Sequence, residues 1–171
     1  MSITTQQTTQ TPLFATDYRV YINHTDAGGI VYHANHLVFF ENCRRDWFTQ
    51  LGLDTYFLKT ETGDVQHFVV SKVELNYRHA ILLDETISVR VDTVDLKPAS
   101  IVFYQSIWRT HPDGDTKLSD GKVVIACVQN NVKSKTDADD NGATKTPMRP
   151  IRVPKVLYDS ICAALSQQQG L

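Results

Sequence analysis

Residues 35–51, NHLVFFENCRRDWFTQL, decide the fold. At about 100° per residue Leu37, Phe40, Trp47, Phe48 and Leu51 fall on one arc, with Arg45, Asp46, Thr49 and Gln50 opposite, which is the pattern of an amphipathic helix. Asn35 suits an N-cap and Gly52 a C-terminal stop. The resulting helix of about 16 residues is roughly 24 Å long, enough to fill a core alone. Two positions break the pattern. Phe39 falls on the polar side and points to a contact with another subunit. Arg44 falls inside the apolar arc, where an unpaired charge is costly, and Glu41, one turn earlier, is its expected partner.

Downstream of the helix the period changes. Val65–His79, Glu85–Asp95, Ser100–Thr110 and Lys117–Asn130 are rich in Val, Ile, Tyr and Phe and read as strands. The turn signals His111-Pro-Asp-Gly-Asp115 and Asp95-Leu-Lys-Pro98 make neighbours antiparallel. Upstream, Tyr18–His24 alternates Val20 and Ile22 with polar residues, as a half-buried strand does. One early helix and four later strands predict an α+β fold, a curved antiparallel sheet burying one central helix, with an open split α/β sandwich as the alternative. Residues 1–16 are polar and read as a flexible lead-in, and a single domain is expected over 17–165. Residues 133–145 (KSKTDADDNGATK) read as a surface loop insertion, and a short helix is expected over Val153–Leu165.

The whole chain has 171 residues, 42% of them hydrophobic, and its 17 basic and 19 acidic side chains leave a formal charge of −2. One core of ordinary size fits the length, and the charge balance gives no broad basic footprint for nucleic acid. No apolar run approaches the roughly 18 residues of a spanning helix, and no signal peptide is visible. Cys43, Cys127 and Cys162 form neither a metal knuckle nor a closed disulfide framework, so a reducing, cytoplasmic setting is expected.

Chemistry concentrates between residues 24 and 41, which hold His24, Asp26, Gly28, Gly29, Tyr32, His33, Asn35, His36 and Glu41. A carboxylate ahead of a glycine-rich turn can lie beside the start of the following helix, where free backbone N–H groups point outward. A carboxylate and an N–H donor converging on one carbonyl carbon are the minimum equipment for acyl hydrolysis. The same Asp26 also makes sense as a plain turn residue, His36 with His33 and Asp26 as a metal triad, and Glu41 as a rival carboxylate or as the partner of Arg44. No Walker loop or Rossmann fingerprint is present.

Asp26-Ala-Gly-Gly-Ile-Val-Tyr-His-Ala-Asn35, continuing through Phe39-Phe-Glu41, resembles the signature of the 4-hydroxybenzoyl-CoA thioesterase family, which has the hotdog fold. Arg19-Val-Tyr21, Val73-Glu-Leu-Asn-Tyr77, Leu83-Asp-Glu85, Ser100-Ile-Val-Phe103 and Arg152-Val-Pro-Lys155 extend the likeness to its Tol-Pal-associated acyl-CoA thioesterase branch, YbgC type, over about residues 18–158. Asn23-His24 depart from that pattern, and His24 has the means to alter the field around Asp26. The resemblance implies a hydrolase of acyl-CoA thioesters, with Asp26 as catalytic carboxylate and the His33 backbone N–H as the donor to the thioester carbonyl. It places Gly29, Tyr32 and Glu41 along the substrate, and Lys97 and Arg149 on the coenzyme A phosphates. It implies no metal and no cofactor beyond coenzyme A as part of substrate and product. It also implies a homo-oligomer, a dimer of dimers with sites between subunits, and acyl carrier protein as a further partner. Two rivals stand beside hydrolysis: a non-catalytic acyl-binding or scaffold protein, and a hotdog hydratase or dehydratase.

Overall fold

The structure is a computed structural model that describes residues 11–53, 58–60, 64–130 and 148–170. The expected insertion at 133–145 and the first ten residues of the expected lead-in lie outside the described residues. The elements run β1 (Phe14–Arg19), α1 (Asn35–Gln50), β2 (Leu58–Lys59), β3 (Val65–Tyr77), β4 (Thr86–Leu96), β5 (Ser100–Arg109), β6 (Thr116–Asn130), β7 (Met148–Pro150) and α2 (Lys155–Gln169). All strands belong to one antiparallel sheet in the order β1-β4-β5-β6-β3-β2, and β7 pairs with the end of β6 beyond the reach of β5. Register shifts at Val70/Lys72, Val91/Thr93 and Ile107/Trp108 bend the long strands around α1. This is the α+β hotdog arrangement expected from the sequence.

The helix buries about half of its circumference: His36, Phe39, Phe40, Cys43, Arg44, Trp47 and Phe48. Trp47 stands edge-on to Phe103 of β5, and Phe48 packs between Phe103 and Phe68 of β3. Each such ring removed from water contributes about 1.5–3 kcal/mol. Gly121 of β6 lies under Phe40, where an added Cβ would stand only 2.9 Å from the ring. α2 closes the core with Leu157 and Ile161. Burial pushes the Cys43 and Cys127 thiols up to about 12, so both stay protonated at neutral pH.

Three expectations are corrected. The first strand is Phe14–Arg19, not Tyr18–His24; Ile22 lies in a 3-10 turn and is 72% exposed, so the alternation there does not reflect a buried face. The first described strand therefore begins at Phe14, ahead of Asp17. Phe39 is 2% exposed and sits inside this protomer's core, because β1 and the 3-10 turn cover that side of α1: the rings of Tyr18 and His24 lie 5.9 and 4.9 Å from it. Asn35 is the first helical residue and Ala34 the N-cap. The pairing expected for Arg44 is present: it bonds Glu41, and its second amino group donates to Gln105 Oε1 at 2.7 Å.

On the concave face α1 does not cover the whole of β3. Val70, Val73 and Tyr77 pair with Ile125, Val123 and Ser119, whose side chains face the core, yet they are 50%, 37% and 53% exposed. Beyond Val65 and Gln66, which β2 pairs, the outer edge of β3 carries no strand among the described residues.

Candidate active site

The site is assembled by a tight reversal between β1 and α1. Thr25 and Ile30 make isolated antiparallel bridges to Val31 and Leu82. The Asp26 N–H donates to the Ile30 carbonyl at 2.9 Å and the Gly29 N–H to the Asp26 carbonyl at 3.1 Å. Gly29 has φ 75°, in the left-handed region where a side chain is strained. The reversal is sewn to the loop after β3, with Val31 N–H on the Ile81 carbonyl at 2.8 Å and Leu83 N–H on the Gly29 carbonyl at 3.1 Å. Within it the Asp26 Oδ1 accepts the Gly28 N–H at 2.7 Å. A Cβ at Gly28 would approach that oxygen to 3.1 Å, so glycine leaves the carboxylate room to fold over its own turn. The second carboxylate oxygen has no hydrogen-bond partner among the described residues.

The His24 carbonyl anchors the helix start, accepting the Tyr32 N–H at 3.0 Å and the Asn35 side-chain amide at 2.7 Å. That bond, rather than capping, is the role of Asn35. The His24 ring is turned toward Phe39, and its Nδ1 accepts the Tyr21 N–H. Between Tyr32 and Asn35, both of whose N–H groups are bonded, the His33 N–H makes no hydrogen bond among the described residues, while its carbonyl accepts the Tyr77 hydroxyl at 3.1 Å.

Asp26 and His33 line one cleft of about 330 Å³, together with Ile30, Val31 and His36 and the segment from Tyr77 to Ile81. Asp26 is exposed at its mouth and His36 is buried. Burial, aided by electrostatic repulsion from the neighbouring His33 imidazole, holds the His36 imidazole down to about 4, so it is neutral at physiological pH. Its ring faces inward to Ser119 on β6. Among the described residues no three His, Cys, Asp or Glu side chains are grouped to hold a metal ion.

The other expected residues are placed differently. Gly29 shapes the turn through its backbone, and the Tyr32 ring lies 4.2 Å from that of His33, outside the cleft lining. Glu41 is engaged with Arg44. Lys97 lies on the β4–β5 turn and Arg149 on β7 opposite Gln129. Ten residues of β6 separate Gln129 from Ser119, which pairs with Tyr77 at the cleft; that is about 33 Å of strand at roughly 3.3 Å per residue. Within one protomer the two cations and Asp26 therefore stand at opposite ends of the sheet. Of the cleft wall of Tyr77, Arg78, His79, Ala80 and Ile81, the sequence marks Tyr77 only as the end of the family-like run Val73–Tyr77 and Arg78 only as a weaker candidate for the coenzyme A phosphates; His79, Ala80 and Ile81 carry no signal.

Residues 20–161 match the family model of the thioesterase-like superfamily. The acyl-CoA thioesterase YbgC of Haemophilus influenzae is 36% identical over 115 residues, 67% of this chain and 80% of that one. The acyl-CoA thioester hydrolase YbgC of Escherichia coli O157:H7 is 31% identical over 118 residues, 69% of this chain and 84% of that one. Among solved structures, a probable thioesterase from Bartonella henselae superposes with a TM-score of 0.62 at 27% identity, covering 83% of this chain and 98% of that chain. The 4-hydroxybenzoyl CoA thioesterase from Pseudomonas sp. strain CBS-3 shares the fold, with a TM-score of 0.66 at 15% identity over 86% of this chain and 97% of that one. A signature turn, a helix wrapped by a curved sheet and a sequence match across most of the chain agree: this protein belongs to the thioesterase-like superfamily.

Proposed function

We propose that this protein is an acyl-CoA thioesterase, hydrolysing acyl-CoA to a carboxylic acid and free coenzyme A. The observation that carries the reading is that the Asp26 carboxylate and the uncommitted His33 N–H line the same cleft. The His33 N–H polarises the thioester carbonyl and takes the developing oxyanion; a donor so placed contributes about 2.7–4 kcal/mol to the transition state. Asp26 supplies the rest in one of two ways. As nucleophile its free oxygen bonds to the carbonyl carbon, the C–S bond breaks, the thiolate takes a proton from solvent, and water then hydrolyses the mixed anhydride. As general base it removes a proton from the attacking water and delivers it to the departing sulfur. In single-turnover hydrolysis in ¹⁸O-labelled water, label in Asp26 marks the nucleophilic route with water attacking the Asp26 carbonyl of the anhydride, whereas label confined to the product acid accords with either route. Neither route calls for a metal or a redox cofactor.

The relatives named as acyl-CoA thioesterases support this substrate class. We read the active form as a homo-oligomer, a dimer of dimers, with its sites between subunits. The exposed inner-face residues Val70, Val73 and Tyr77 beside an unpaired strand edge support pairing with a second copy. In such an assembly Lys97 and Arg149 serve coenzyme A held by a neighbouring subunit, which fits their distance from Asp26 within one protomer. A cytoplasmic place, a link to the Tol-Pal system and acyl carrier protein as an alternative carrier complete the proposal. No described helix is long and apolar enough to cross a membrane, which is compatible with that setting.

The test is Asp26→Asn. Asparagine keeps the shape and can still accept the Gly28 N–H, so the melting temperature should hold while kcat falls by about 10²–10⁴-fold. Near-normal release of free thiol from acyl-CoA by the variant would end the assignment.

A further inference from the structure

Among the polar side chains lining the cleft, His36 is the buried one, and neither route of hydrolysis employs it. Only 4% of it is exposed, and a side chain buried to that degree normally has its polar atoms satisfied. One of its nitrogens is: Nδ1 lies 3.0 Å from the hydroxyl of Ser119, itself fully buried on β6. The other, Nε2, has no hydrogen-bond partner among the described residues and is not sealed from solvent. Since His36 lines the cleft, the cleft is the way in to that nitrogen. The ring is also fixed from the side, with the Tyr77 ring perpendicular to it at 5.0 Å and 88°. A neutral, immobilised imidazole thus offers one hydrogen-bonding atom among the apolar walls of Val31, Ala80 and Ile81.

The chemistry of the substrate decides which part reaches that atom. Phosphates are costly to bury, so the nucleotide end of an acyl-CoA stays outside, and the arm that passes Asp26 into the buried end is the acyl group. We propose that His36, held by Ser119 and Tyr77, is a specificity-determining residue that hydrogen-bonds a hydroxyl or keto oxygen on the acyl group. It thereby favours acyl groups carrying such an oxygen over their unsubstituted counterparts. An unsubstituted acyl group displaces water from Nε2 and puts nothing in its place, a penalty that corresponds to about 5- to 150-fold in kcat/KM. This inference rests on the acyl-CoA thioesterase reading given above.

The experiment compares matched pairs on the purified full chain: butyryl-CoA with 3-hydroxybutyryl-CoA, and benzoyl-CoA with a hydroxybenzoyl-CoA. Wild type should favour the oxygenated member of at least one pair. His36→Phe, which keeps a planar ring against Tyr77, should abolish the preference, and His36→Gln should retain part of it. Equal kcat/KM within both pairs for wild type overturns the proposal, and so does an equal loss on both members in His36→Phe, which would assign the imidazole to the attacking water, the pantetheine arm or the fold. If His36→Phe does not fold, the affinities of Asp26→Asn for the same pairs decide, and equal dissociation constants refute the assignment. Absence of hydrolysis by wild type on every substrate would instead bring down the thioesterase reading, while the binding ratios in Asp26→Asn still judge His36.

Discussion

Gly121→Ala tests how tightly the sheet holds the helix that carries the site. Gly121 lies in β6, between Leu75 of β3 and Gln105 of β5, so its backbone is fixed from both sides. An added Cβ would stand 2.9 Å from Phe40 Cε2, 3.1 Å from the Glu74 carbonyl oxygen and 3.3 Å from Leu75 Cδ1. Comfortable carbon contacts are about 3.5–4.0 Å, and the Phe40 ring, with no exposed surface, has nowhere open to retreat. Overpacking of this kind costs about 1–3 kcal/mol, offset by roughly 0.4–1 kcal/mol from the stiffer unfolded chain of alanine, so a net loss of about 1–2 kcal/mol is expected. At about 2–4 °C per kcal/mol for a chain of this size, that lowers the melting temperature by roughly 2–8 °C. Urea denaturation at one fixed protomer concentration reads the change, because association into the proposed homo-oligomer would add a concentration-dependent term. Phe40→Leu in the same background should recover part of the loss, giving a favourable coupling of about 1 kcal/mol in a double-mutant cycle. Phe40 is one turn beyond His36, so the cleft wall should move with it and kcat/KM should fall. A Gly121→Ala protein as stable as wild type, or zero coupling to Phe40, would refute the reasoning.

Gln105→Leu strips the Phe40 carbonyl of a 3.1 Å donor and Arg44 of a 2.7 Å acceptor in a fully buried site; it should destabilise by at least about 2 kcal/mol in denaturant titrations. His36 gives an acid-sensitive stability. Its folded-state value near 4 lies below the roughly 6.5 of a free imidazole, so as pH falls through that window the unfolded chain binds a proton that the folded one refuses. Stability is lost between about pH 6.5 and 4 by at most about 3 kcal/mol, and none of this group's share changes at higher pH. Urea melts of wild type and His36→Phe across that range should diverge accordingly. Val73→Lys places a charge on the uncovered inner face of β3. It should shift sedimentation toward the single protomer, and an undisturbed oligomer would argue against pairing at that edge.

Much of this architecture is written locally. The period of α1, the stop at Gly52, the β-rich runs and the glycine-rich reversal at Asp26 are each set by a handful of neighbouring residues, and the structure places the helix and the four long strands within two residues of their expected ends. The short β2 and β7 strands escaped notice because two or three residues carry no period. Ile22 misled for a related reason: alternation records polarity, not which side has a partner, and the turn there has none.

What the sequence determined alone was the α+β fold class, the pairing of Glu41 with Arg44 and the candidacy of Asp26 beside a helix start, since these depend on local period and spacing; the choice of His33 as donor follows from the family resemblance. Only the tertiary structure decided that Phe39 belongs to the core, that the loop after Tyr77 walls the cleft, that His36 turns to Ser119, and that Lys97 and Arg149 stand far from Asp26. Those outcomes depend on which strands pair and in what register, and pairing across 40 or more residues, as between His36 and Ser119, is fixed by burial of the whole sheet around one helix rather than by any local pattern.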